Sequence, residues 1–449
     1  MRRVWGAISA IVLAASLINI SPAQAGLYNF RSHTFTPCTA TGPNGPTLAN
    51  CQTAYSSASW SGNTSNFNVI DGKQYWKVPK TATYRVTVAG AAGAVSNLYV
   101  GGSGVVQQAD LSLTEGNILI LLPGQKGLFA VITGTGGSGG GGGGSFLVES
   151  ATSTLLMASG GGGGAGKTSN GQNGSTTVNA TSGLWGSTGG SLNSGGTAVN
   201  TYNQYYGGGG GGANSGNGSG GHGSGGLGGA GGAGYKGNGG SGANNYVNTA
   251  QSFSNGGVGS YHTTSSWGSI TQGAGGFGGG GNGTPYMAGS YNAGGGGGGG
   301  YTGGGGGNGT SGPPGTYPGT GGGGGGSYIS GANRSSAATN TGDGYITIEN
   351  LTTPTVSLSI AGNANQVVKG QSVALTANVD DSVKITFFAD GKRIPGCIGI
   401  SASAGVVTCN WKPTLQKAFT IYSVIYQDGA EVSRSTPFTV AASRRTGLR

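Results

Sequence analysis

Residues 155–169 read LLMASGGGGGAGKTS, and their interpretation decides the fold. Gly161, Gly166, Lys167 and Thr168 satisfy the phosphate-loop pattern G-x-x-x-x-G-K-[ST] behind an apolar, strand-like run. A working phosphate loop needs a helix after the glycines, with its N-terminus facing the phosphates, and an acidic partner to hold magnesium. After Thr168 the chain continues SNGQNGSTTVNATSG, which has no helical pattern and several breakers. In a tract about half glycine such a match arises readily by chance, and the repeated G-x-G-x-x-G matches carry still less. The stretch therefore reads as a strand entering a glycine run, with no nucleotide expected.

Working outward, glycine dominates from about 150 to 342, where no acidic residue occurs and Lys167, Lys236 and Arg334 are the only charges. Glycine loses the most backbone entropy on ordering and has no side chain to bury, so such a chain orders only if its own main chain compensates. Extended left-handed helices of three residues per turn do this, because bare Cα atoms let neighbouring backbones approach closely. Pure glycine runs at 139–144, 160–164, 207–212, 294–300, 303–307 and 321–326 have similar lengths, which favours matched struts over a floppy linker. The run 224–234, SGGLGGAGGAG, repeats X-G-G with period three and lacks the proline of collagen. Interspersed aromatics, Tyr205, Tyr206, Trp267, Phe277, Tyr301 and Tyr328, also distinguish it from a linker. A calcium-binding glycine roll needs an aspartate in each turn, and none occurs in the tract before Asp343.

The flanks have ordinary β composition. Tyr84-Arg85-Val86-Thr87-Val88 and Asn117-Ile118-Leu119-Ile120-Leu121-Leu122 have strand length and end at glycine or Pro123-Gly124, and no helical periodicity is evident. Tyr345-Ile346-Thr347-Ile348-Glu349 closes the glycine region before a linker at 351–354. Strands at 355–360, 371–379, 383–389, 405–411, 419–426 and 438–440, with turns at Asp390-Gly391 and Asp428-Gly429, suggest an immunoglobulin-like β-sandwich over 355–442. A basic tail covers 443–449. In that sandwich Trp411 reads as core beside Cys409.

Residues 1–25 carry Arg2 and Arg3, an apolar run and Ala23-Gln24-Ala25, the pattern of a bacterial-type secretory signal peptide, so a mature chain is expected to begin at Gly26 with no transmembrane segment. An uncleaved anchor is the alternative, weakened by the shortness of the run. The 21 basic residues less Arg2 and Arg3, against 11 acidic ones, leave a charge of +8, which favours loose association with polyanionic cell-wall polymers and specifies no nucleic-acid site. Cys38 with Cys51 and Cys397 with Cys409 read as two local disulfides in an exported protein, the second stapling a short loop and not spanning the sheets as in antibody domains; a zinc site is the poorer alternative. His33, His222 and His262 are scattered and suit surface or turn roles, and Asp380, Asp381 and Asp390 suit turns and solvated edges. No catalytic, cofactor or metal residue is expected, and the ligand-binding residues are unknown.

Several non-glycine blocks resemble, in order, the extracellular glycine-rich domain of the anaplastic lymphoma kinase and leukocyte tyrosine kinase family. They begin with Phe35-Thr36-Pro37-Cys38-Thr39-Ala40-Thr41-Gly42-Pro43-Asn44-Gly45-Pro46-Thr47, then Cys51 and Ala54-Tyr55. The likeness continues through Gln74-Tyr75-Trp76-Lys77-Val78-Pro79, Gly90-Ala91-Ala92-Gly93, Pro123-Gly124-Gln125-Lys126-Gly127, 139–148, 155–167, 275–281, 294–304 and 342–348, covering about 35–349. The resemblance implies an all-β domain over 26–350. Its parts would be a jelly-roll sandwich of the tumour-necrosis-factor type, built from 26–159 and the strand 345–349, and a polyglycine-II helix bundle inserted at about 134–342. It also implies no nucleotide role for Lys167. Kinase activity does not carry over, because no H-R-D loop, D-F-G motif or membrane helix is present, and cytokine binding does not, because a sandwich stands where the family has a cysteine-rich module. Phe387-Phe388-Ala389-Asp390-Gly391-Lys392 and Thr408-Cys409-Asn410-Trp411-Lys412-Pro413 are similar to immunoglobulin-like repeats of bacterial surface proteins, which act as spacers or adhesive modules. The expectation is a secreted, non-enzymatic surface or matrix protein that recognises an extracellular glycan or protein. A passive envelope component and an extracellular hydrolase are the alternatives.

Overall fold

The computed structural model describes residues 26–130, 137–185, 187–198, 207–219, 227–242, 247–262, 272–284, 292–309, 318–361, 365–381, 383–402, 405–427 and 430–444. The signal segment 1–25, Tyr205, Tyr206, His222, Trp267, the turn at Asp428-Gly429 and the tail beyond 444 lie outside the described residues. The chain divides into two compact units at Thr353 and Pro354, and almost all its regular structure is antiparallel β.

In the first unit, two antiparallel sheets form a sandwich. One orders Ser32–Phe35 (β1), Tyr345–Asn350 (β11), Ala82–Ala89 (β4), Gly104–Leu113 (β5) and Ala332–Asn340 (β10). The other orders Phe67–Ile70 (β2), Lys73–Lys77 (β3), Ile118–Leu122 (β6), Ser145–Glu149 (β7), Thr154–Ser159 (β8) and Tyr328–Ile329 (β9). Strand alternation explains why the second sheet is apolar on both faces. Leu119, Leu121, Leu147 and Met157 point into the sandwich core with Phe35, Trp76 and Tyr84, while Leu122, Phe146, Val148 and Ala158 point the other way, against Tyr235, Phe253, Phe277 and Tyr301 of the glycine region. Aromatic rings form that second layer: Phe146 and Phe253 lie 5.1 Å apart, and so do Tyr301 and Tyr328.

The glycine region is a lattice of main chain. In the rod 294–300, Gly294, Gly297 and Gly300 donate to the carbonyls of Leu227, Ala230 and Ala233 at 2.8, 2.9 and 3.1 Å. Gly295, Gly298 and Tyr301 donate to Thr320, Gly323 and Gly326 at 2.9, 2.8 and 2.8 Å, and Gly296 and Gly299 to Gly139 and Gly142 at 3.0 and 2.9 Å. Successive amides thus address three neighbouring rods with a period of three residues. The carbonyls return the pattern: Gly296 and Gly299 accept from Gly164 and Gly161, Gly295 and Gly298 from Gly307 and Gly304, and Gly294 and Gly297 from Thr284 and Gly281. One rod is thereby bonded to six others. Its seven residues span about 20 Å at the rise of an extended three-fold helix. The period-three run matches this geometry, since Leu227, Ala230 and Ala233 all face the same partner rod and all are buried.

Three features differ from the sequence reading. Residues 90–94 and 123–128, outside the expected insert, join the lattice, with Ala91 accepting from Gly162 and Gln125 donating to Phe277. Conversely, β9 and β10 fall inside the expected insert but complete the two sheets, because 328–340 has lost the glycine density and regained side chains. A helix, Leu48–Ala54 (α1), also forms; at seven residues it shows no periodicity and is held by a Thr47–Asn50 capping box and by the Cys38–Cys51 bridge.

The second unit packs a sheet of Val356–Ile360 (β12), Val373–Val379 (β14) and Gly405–Trp411 (β18) on a larger one. The larger sheet orders Gln366–Val368 (β13), Phe438–Ser443 (β21), Ala418–Gln427 (β19), Val383–Ala389 (β15) and Lys392–Arg393 (β16), with Ile400–Ala402 (β17) on β15 and Ala430–Arg434 (β20) on β19. Only β13 and β21 pair in parallel among these strands. Trp411 is buried in the core with Phe419. Asp390 and Gly391 have φ of 50° and 75°, the two-residue hairpin turn expected of Asp-Gly. The Cys397–Cys409 bridge is local in sequence as expected, yet it ties a segment bonded to β15 through the Cys397 carbonyl to β18 of the opposite sheet.

At the glycines of the rod 294–300 the lattice leaves no room for a side chain. A Cβ on Gly297 would lie 2.1 Å from the Gly304 carbonyl oxygen, whereas one on Gly62 meets nothing within 4 Å. Gly297→Ala is expected to cost about 3 kcal/mol of stability, at the upper end for overpacking, and Gly62→Ala to stay within ~0.5 kcal/mol. Urea unfolding together with amide exchange across 294–300 measures both.

Candidate functional site

The phosphate-loop match resolves into lattice. From Gly161 to Thr168 each amide already has a carbonyl partner, in order Gly299, Ala91, Gln172, Gly296, Ala94, Ser169, Ala293 and Gly319. A phosphate cradle consists of free amides turned toward a ligand, and here they turn toward neighbouring main chain. The strand expected before the glycines is β8, and the segment after it continues as an extended rod.

The rods have two ends. Where 139–144, 160–165 and 321–326 meet β7, β8 and β9, they abut the sandwich. The opposite end gathers the residues next to Gly139, Ala165, Gly294 and Thr320, and two loops there carry exposed apolar side chains. The loop 95–100 comes after Ala94, which is bonded to Ala165 and Gly140; Leu98 at its tip is 83% exposed, with Val95 and Val100 also in solvent. Leu184 donates to Gly321 and leads to Trp185, which is 79% exposed and held at φ 53°. A tryptophan in the left-handed region is a sterically costly conformation. The two loops are linked through the lattice rim: Val100 accepts from Gly171 and its amide donates to Asn170 Oδ1 at 3.0 Å, and Ser169 Oγ accepts from the Gly321 amide at 2.9 Å. Lys167 and Thr168 lie on the same rim. Leu98 and Val100 on one loop and Leu184 and Trp185 on the other expose apolar side chains at this end of the rods, which is the candidate recognition surface.

Of the aromatics singled out in the sequence, the three described ones are not part of it. Phe277 is fully buried, and Tyr301 and Tyr328 pack on each other in the layer between slab and sheet. Sequence reasoning passes over Leu98 and Trp185 because isolated apolar residues in polar loops carry no pattern.

Two histidines expected at the surface are instead enclosed. His33 sits edge-on to Phe35, Tyr55 and Trp60 at 4.8, 4.5 and 4.9 Å. His262 is 2% exposed, and its two ring nitrogens have no hydrogen-bond partner among the described residues. Burial lowers both pKa values to about 4. Asp380 is also buried, accepting from the Thr355 amide at 2.7 Å, and not on a solvated edge. Asp390 holds Lys417 at 2.6 Å and caps the Thr420 amide. Among the described residues no cluster of three or more His, Cys, Asp or Glu could hold a metal ion, all four cysteines are in disulfides, and no helix is long and apolar enough to cross a membrane.

No protein-family model matches the chain. It is similar to the leukocyte tyrosine kinase receptor of Mus musculus, at 33% identity over 95 residues, which are 21% of this chain and 11% of the relative. The chain thus matches about a tenth of that receptor's length, and the relationship to its family is distant.

A neutral His262 that resists protonation destabilises the fold in acid. Its folded pKa lies below the unfolded value of about 6.5, so the unfolded chain takes up the proton first, and stability present above pH 6.5 falls as pH drops toward 4. The loss is about 3 kcal/mol for this residue. In His262→Leu the difference in unfolding free energy between neutral and acid buffer is expected to shrink by that amount, read by urea denaturation at both pH values.

Proposed function

We propose that the protein is a secreted, non-enzymatic recognition module of the bacterial cell exterior, in which a jelly-roll sandwich carries a polyglycine-II bundle and an immunoglobulin-like domain comes after it. The observation that supports this reading most is the end face of the slab. Exposed Leu98 and Trp185 stand on a lattice whose amides are bonded to neighbouring main chain, so a ligand meets a surface that loses little entropy on binding. The disulfides fit an oxidising compartment, and the likeness to a receptor supports an extracellular setting. That receptor's kinase activity is not proposed for this chain. The immunoglobulin-like unit serves as a spacer or second adhesive module.

The positive charge supports a second reading, a passive envelope component held by anionic polymers. Binding of the purified protein to glycan and cell-surface arrays separates the two. Recognition predicts saturable binding that survives about 0.5 M salt, where surface charge interactions are screened. It also predicts a drop of about tenfold or more in a Leu98→Ser, Trp185→Ser double variant, as expected when anchoring apolar residues are lost. Passive retention predicts binding that disappears at high salt and ignores that variant.

A further inference from the structure

A second feature lies at the other end of the rods, where slab and sandwich meet. A groove of about 630 Å³ opens between the segment 44–48, the β2–β3 hairpin and the loop 251–258. Its construction is specific. Asp71 and Gly72, with φ of 49° and 75°, form the two-residue turn of the hairpin and set Asp71 at the groove's lip. Gly45 crosses Gly72 so closely that a Cβ on Gly45 would lie 2.5 Å from the Gly72 Cα and 2.7 Å from the ring of Phe277 beneath. Bare backbone is therefore required at this crossing, and it gives the groove a rigid floor. Three carboxamide residues, Asn44, Gln251 and Asn255, also line the groove together with Thr47, and Leu48, Val69 and Val258 supply its aliphatic wall.

The charge balance narrows what fits. Lys73, two residues from Asp71, donates from Nζ to the Phe253 carbonyl at 2.8 Å and lies 4.6 Å from the centre of the Phe253 ring. Burial lowers its pKa while Asp71 raises it, so the two groups sense one another. Asp71 is the one charged residue that lines the groove, and the Lys73 ammonium acts on it from outside the lining. An anionic ligand meets the carboxylate, and a cationic one meets it with an ammonium nearby. The remaining class is a ligand rich in neutral groups that both donate and accept hydrogen bonds, with apolar flanks. Vicinal hydroxyls match a carboxylate and three carboxamides, and ring C–H faces match the aliphatic wall. The volume falls in the ordinary range for small-ligand sites, about 300–1,000 Å³.

We propose that this groove binds a neutral oligosaccharide. The inference rests on the reading of the protein as an extracellular recognition module and names the ligand class for a site separate from the rim. Its probes are cellotetraose, chitotetraose and maltotetraose, titrated into the full mature chain by calorimetry. Asp71→Asn preserves the turn, because Asn-Gly adopts the same conformation, and replaces a charged acceptor; Gln251→Ala removes a carboxamide. At least one tetrasaccharide is expected to bind saturably and independently of salt. Its affinity should fall about tenfold or more in each groove variant, as for loss of a hydrogen bond to a charged or buried group, and hold in Trp185→Ser. Absence of binding by all three sugars overturns the inference, as does binding that both groove variants leave unchanged. Binding lost in Leu98→Ser, Trp185→Ser but kept in the groove variants overturns it while leaving recognition at the rim intact. No saturable ligand on any array overturns the recognition reading as well.

Discussion

The constraint on which the first unit depends is that three consecutive amides of a glycine rod must each find a carbonyl on a different neighbour. An intramolecular hydrogen bond contributes only about 1 kcal/mol net, while a buried donor left without a partner costs about 1–3 kcal/mol. A slab with almost no apolar side chains therefore holds together only when satisfaction is close to complete. The rod 294–300 shows how that is reached: it donates to three rods and accepts from three more, at 2.7 to 3.1 Å. Such spacing brings backbone oxygens to within about 2 Å of where a Cβ would stand, as at Gly297 and Gly322. Glycine is required there by distance, since these residues do not have positive φ.

That lattice still needs a boundary. The six-stranded sheet supplies it, because alternate residues of β7 serve two cores: Leu147 enters the sandwich, and Phe146 and Val148 face the slab. Phe253, Tyr235 and Tyr301 cover the inner ends of the rods, so the apolar surface absent from the slab itself is concentrated in one layer at its base. Burial of these aromatics ties the register of the rods to the register of the sheet.

How much of the fold is legible in the sequence depends on where side chains carry information. The glycine runs announce extended rods, since nothing else orders such a composition, and the period of three at Leu227, Ala230 and Ala233 announces their geometry. The strands near 84–88 and 117–122 and the Asp390-Gly391 turn are legible for the usual reasons of alternation and turn chemistry. The limits of the slab are not, because Gly90-Ala91-Ala92-Gly93 is as compatible with a loop as with a rod until its hydrogen-bond partners are known. Nor can the sequence separate aromatics that pack from those that are presented. Phe277 and Trp185 both sit beside glycines; the first is enclosed by the crossing of Gly45 and Gly72, the second projects from a loop, and both outcomes are decided by residues distant in the chain.

The same lattice restricts where binding can occur. Within the rods at 139–144, 160–164, 294–300, 303–307 and 321–326 the amides are engaged, and an added side chain collides with backbone, so the interior offers a ligand neither functional groups nor space. Diversity of chemistry is confined to the places where rods stop: the outer rim, with Leu98 and Trp185, and the inner junction, where the Asp71 hairpin and the loop 251–258 meet over Phe277. At both places the loops are anchored on main chain whose amides are already bonded to neighbouring rods. A side chain placed there inherits the rigidity of the slab, and the glycine tract, though chemically nearly featureless, thereby fixes the geometry with which the few residues at its margins meet a partner.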